Sequence, residues 1–196
     1  MYFKVAKDQL NTAKIAETRI RELLADPSPL VKQDLIDKRY YEFSEAVVTS
    51  VVFSGLTIEA YINYYAISRL SQSQFENSLD KLSILKKWID IPKLISGNAI
   101  GVGSDAIVLL KTLIQSRNRL VHYKSSGSTP QEFYNYLQDF DAKDHNSHLP
   151  WLNEAKTGIQ AVYKLIDEMT KIDNSVKLSE IEWDEDADKW FEALSI

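Results

Sequence analysis

The chain has 196 residues, an apolar share of 44% and a formal net charge of −5, which suits a single domain with an appendage and argues against bulk nucleic-acid binding. It contains no cysteine, so disulfides, thiolate zinc sites and cysteine nucleophiles are excluded. The opening MYFKVAKDQL lacks the basic-then-apolar order of a signal peptide, and no uninterrupted apolar run approaches the roughly 18 residues of a membrane span, so a soluble cytoplasmic protein is expected.

Helical periodicity dominates in chain order. Leu10, Ala13, Ala16/Glu17, Ile20 and Leu24 recur at three- and four-residue spacings and predict a helix over about 2–25. Asp26-Pro27-Ser28-Pro29 stops it, with Ser28 as N-cap and Pro29 at the first position of the next helix. From there to about Leu70 no proline occurs. The β-branched middle, VVTSVVFSGLTIEAYI, could be taken for strands, but no turn signal interrupts it. Val47, Val51, Ile58, Ile62 and Tyr65 follow a helical stripe instead. One long helix is expected, with Gly55 as the place for a bend.

Ser73-x-x-Glu76 has the form of a capping box and predicts a helix reaching towards Trp88, ended by Ile91-Pro92 and Gly97. Ser104-Asp105 caps a further helix, through Ile107, Leu110, Leu113 and Ile114 to about His122. Thr129-Pro130-Gln131-Glu132 gives another capping box. The polar stretch from Asp141 to His148 precedes Pro150 and a helix to about Lys171. Two regions are expected: a helical domain over 1–174 and an acidic amphipathic segment over 175–196. Residues 180–196 hold seven acids and only Lys189 as base, a charge of −6 that leaves +1 for the rest. Trp183, Ala187, Trp190 and Leu194 fall on one face of that segment, so a short docking helix is expected. The fold class is all-α, an antiparallel helical bundle.

Chemistry concentrates in Arg117-Asn118-Arg119-Leu120-Val121-His122, followed by Tyr123 and Lys124. A guanidinium can bind two phosphate oxygens at once, and an imidazole moves protons near neutrality. Basic residues in a last helical turn also complement the helix dipole with no further role. At about 100° per residue, Asn118 and His122 share a face and Arg119 is equally near, while Arg117 stands about 140° away. Spacing alone therefore favours Arg119 as the partner of His122.

The string Arg117-Asn118-x-x-x-His122 on a late helix resembles the HEPN superfamily. Ile58-Glu59-Ala60-Tyr61-Ile62-Asn63 is similar to a Glu-Ala-aromatic-x-Asn segment of its second long helix. Lys87-Trp88-Ile89-Asp90-Ile91-Pro92-Lys93-Leu94 with Gly97 resembles the segment before the motif helix in its RiboL-PSP-like branch. The resemblance covers roughly residues 30–125. It implies a HEPN-type bundle that dimerises with two motifs facing one cleft. It also implies metal-independent cleavage of RNA, with no cofactor, in a toxin or phage-defence setting where an antitoxin protein is a possible partner; some members are silent and bind a nucleotide or a protein.

On that basis Arg117 would stabilise phosphate charge and His122 would carry protons, with Asn118 orienting either one. Arg119, Tyr123, Lys124, Glu59 and Asn63 would support or touch phosphate. In one toxin branch a Tyr two positions after the His is modified; here Tyr123 lies one position after His122, and Lys124 takes the expected place. Asp141, Asp144, His145 and His148 lie in one short polar loop without a second ligand pair, so no metal site is expected. A further alternative is a plain helical interaction bundle whose acidic tryptophan-bearing tail recruits a partner; separately, in an RNA-binding protein that tail would shield the basic cleft electrostatically.

Overall fold

Phe3, Ala6, Leu10, Ala13, Ala16 and Ile20 line one side of a helix, and all six are buried in α1 (Tyr2–Ala25). The structure is a computed structural model that describes residues 1–25, 32–121 and 149–176. Every regular element among them is helical: α2 spans Lys32–Arg69, α3 Gln72–Gln74, α4 Ile84–Ser96, α5 Asp105–Val121 and α6 Leu149–Ile172. The fold is all-α, as the spacing predicts. The Asp26-Pro27-Ser28-Pro29 stop, the Thr129 capping box and the tryptophans of the acidic segment lie outside the described residues.

The 38 residues of α2 extend about 57 Å, so it touches every other long helix along its length. Tyr2 meets Phe53 edge-on at 5.9 Å and the Ser50 hydroxyl donates to the Ala6 carbonyl at 2.9 Å, which sets α1 antiparallel to the first half of α2. A Cβ on Gly158 would lie 3.0 Å from Ser54 Oγ and 3.3 Å from Leu113 Cδ1, so α2, α5 and α6 converge there with little between their backbones. The Tyr65 hydroxyl donates to Asp173 just past the end of α6, so α6 runs parallel to α2. By length and composition, Asp34–Arg69 could cross a membrane; 56% of its most apolar stretch is buried within the fold. That helical apolarity is not visible as an uninterrupted run.

Three boundaries depart from expectation. The capping box is Ser71–Gln74, not Ser73–Glu76: the Ser71 hydroxyl accepts from the Gln74 amide at 3.2 Å, and Gln74 Oε1 accepts from the Ser71 amide at 3.0 Å. Ser71 is extended, so it is the residue at which a new helix starts. That helix does not reach Trp88 either. It widens at once into a π-helical turn (Phe75–Leu79), and α4 begins afresh with Ser83 as its cap. Of the expected stops, Pro92 does not end the helix but lies buried inside α4, while Gly97 does end it, with φ 77°. An interior proline costs about 3 kcal/mol. Trp88 offsets it: the indole is fully buried, stacks on Tyr61 at 5.7 Å and donates to the Ile58 carbonyl at 3.2 Å.

Candidate functional site

Ser104 caps α5 as expected, accepting from the Ile107 amide at 3.4 Å. From that start Ala106, Ile107, Leu110, Leu113 and Leu120 form the buried stripe. Arg117, four residues after Leu113, continues the stripe and so turns towards α2. Asn118 and Arg119 lie further round the helix and are exposed. Local helix geometry therefore separates the three polar residues of the motif.

Arg117 crosses α2 at Gly55. A Cβ on Gly55 would sit 2.7 Å from Arg117 Cδ, 3.4 Å from Nε and 3.6 Å from Cγ, so the side-chain stem lies flat on bare backbone. One helical turn further along α2, Glu59 Oε2 stands 3.8 Å from Arg117 Nη2, with the two side chains 36% and 24% exposed. That distance is an ion pair without a direct hydrogen bond, a contact of at most about 1 kcal/mol. Arg117 Nε is buried with no acceptor among the described residues, as is Ser54 Oγ. An orphaned buried donor costs about 1–3 kcal/mol, and glycine inside a helix costs up to about 1 kcal/mol against alanine. Stability alone does not favour this arrangement.

Arg119 takes a different partner. It pairs with Glu154 of α6, and its guanidinium lies 5.8 Å from the centre of the Trp151 ring. Asn63, one turn after Glu59, accepts from Lys87 Nζ at 2.9 Å rather than meeting Arg117. Lys87 is only 3% exposed, 3.8 Å from Asp80 and 5.4 Å from the centre of the Phe75 ring. Of the expected set, Glu59 and Arg117 are brought together, Arg119 and Asn63 are engaged elsewhere, and Asn118 faces solvent. His122, Tyr123 and Lys124 lie outside the described residues, as do Asp141, Asp144, His145 and His148. Among the described residues no three His, Cys, Asp or Glu side chains gather as metal ligands.

The sequence reading gave Lys87 and Gly55 no contact at the site and did not single out Glu154. Lys87 carried a signal, since a lysine spaced three and four from Ile84 and Ile91 falls on the apolar face of α4 and needs a buried acceptor. Gly55 had only its position in the gap of a helical stripe, and Glu154 had none. Compared with protein-family models, with curated proteins and with solved structures, the chain matches none.

Proposed function

We propose that this chain is a HEPN-type endoribonuclease, an antiparallel helical bundle acting as a homodimer that cuts RNA without a metal. One observation carries the reading. Of the three segments that resemble the superfamily, two meet the one on α2: Arg117 meets Glu59, and Lys87 and Trp88 meet Asn63 and Ile58.

The chemistry follows from the groups. His122 removes the proton of the 2′-hydroxyl, or returns one to the leaving 5′-oxygen, because imidazole titrates near neutral pH. Negative charge then builds on the phosphorus oxygens. Arg117, part-buried and only loosely paired, keeps donors for that charge in a site poorer in water than the surface. Asn118 orients the phosphate or the imidazole. RNA incubated with purified protein in EDTA is therefore cut, and His122→Ala abolishes the cutting. Intact RNA under these conditions counts against the proposal.

A second reading is a silent module of the same family that binds a nucleotide or a protein. It is favoured by Arg119, whose charge is already met by Glu154. Under it, wild type and His122→Ala leave RNA equally intact while both bind the ligand.

A further inference from the structure

We infer that Gly55 is a positioning residue: the absence of a side chain there makes a notch in α2 that seats the Arg117 stem and fixes where its guanidinium ends. The catalytic meaning of the notch rests on the nuclease reading, in which Arg117 faces phosphate. The notch itself rests on geometry alone.

Three consecutive atoms of the Arg117 side chain, Cγ, Cδ and Nε, lie within 3.6 Å of the point where a Cβ of residue 55 would be, and the middle one within 2.7 Å. Contacts below about 3 Å between carbon atoms are repulsive, so any side chain at position 55 pushes the stem away. Cδ is the middle of the side chain rather than its free end, so the displacement passes on to the guanidinium. Burial of Nε shows how closely the stem is enclosed. Glu59, four residues after Gly55 and so on the same side of α2, draws the guanidinium along the helix without binding it by hydrogen bond. Sterics at Gly55 and charge at Glu59 together define one orientation. A guanidinium held this way meets a phosphate without first losing its rotamer freedom, the condition for strong stabilisation of developing charge.

Gly55→Ala tests this in two arms, one of which needs no RNA. Alanine is the better helix former, so in an Arg117→Ala background Gly55→Ala should raise the folding equilibrium constant about fivefold. With Arg117 present the gain should vanish or reverse, because the new methyl group must displace the stem. Equal gains in both backgrounds overturn the proposal. In the second arm, with Arg117 in place, Gly55→Ala should lower kcat for RNA cleavage by about tenfold or more. KM should stay within about threefold and the pH profile should keep its shape, since the proton carrier is untouched. An unchanged kcat alongside intact coupling in folding overturns the positioning role. A wild-type protein that cuts no RNA, with coupling in folding intact, supports the notch and retires the nuclease reading alone.

Discussion

Two of the polar clusters along α2 are built to opposite standards. At its C-terminal end, Asp173 accepts from the Tyr65 hydroxyl at 2.7 Å and from the Ser175 amide and hydroxyl at 2.9 and 2.6 Å. Arg69 closes the set, 3.3 Å from Asp173, donating to Ser175 at 2.8 Å and lying 4.2 Å from the centre of the Tyr65 ring. At the middle of α2, Arg117 and Glu59 stand 3.8 Å apart, and Arg117 Nε lacks an acceptor among the described residues. The first cluster meets its carboxylate and its guanidinium with hydrogen bonds from within the protein. The second keeps donors in reserve, which suits a ligand better than it suits stability.

Exchanging single residues sharpens the contrast. Arg117→Ala should reduce RNA cleavage by about 10²–10³-fold, the effect of removing one charge-stabilising donor. Its folding stability should change by no more than about 1 kcal/mol in chemical denaturation, since the ion pair is loose and an orphaned donor is removed with it. A large loss of stability with cleavage retained would reverse the assignment of the two clusters.

Asp173→Asn should do the opposite, costing about 1–2 kcal/mol in denaturation while cleavage per folded molecule is unchanged. Its carboxyl lies below the ordinary 3.8: burial alone would raise it, but hydrogen bonds from Ser175 and Tyr65 and the charge of Arg69 outweigh that. Because the folded value is the lower one, this group's stabilisation is complete above the unfolded value and fades as pH falls through the folded one. The wild type should therefore begin to lose its advantage over Asp173→Asn as the pH falls below about 4. A gap that widens in acid would contradict the sign. The smallest effect belongs to Glu59→Gln, which keeps the shape and removes the charge. Stability should shift by under about 1 kcal/mol, with a several-fold fall in cleavage that shrinks at high salt.

What could be read from the sequence was local. The span of α1, the length of α2 and the Ser104 cap depend on apolar spacing and on one hydroxyl beside one amide, and these survive intact. Pro92 misled because the burial of Trp88, in a pocket made by another helix, decides whether α4 continues. The π-helical turn after Gln74 has no spacing signature of its own. In the candidate site, Glu59 was visible as a carboxylate amid apolar residues, and Arg117 by resemblance. That Arg117 lies on Gly55 while Arg119 pairs with Glu154 was not visible, because both neighbours are contributed by helices far away in the chain. Val176, the last described residue, is buried.

The nature of the cut ends tests the central claim most directly. Transesterification through the substrate's own 2′-hydroxyl leaves 2′,3′-cyclic phosphates and 5′-hydroxyls, and a strand with a 2′-deoxyribose at the cut position should resist. Digestion products bearing 5′-phosphates and 3′-hydroxyls, or cleavage that continues past the 2′-deoxy position, would contradict the account.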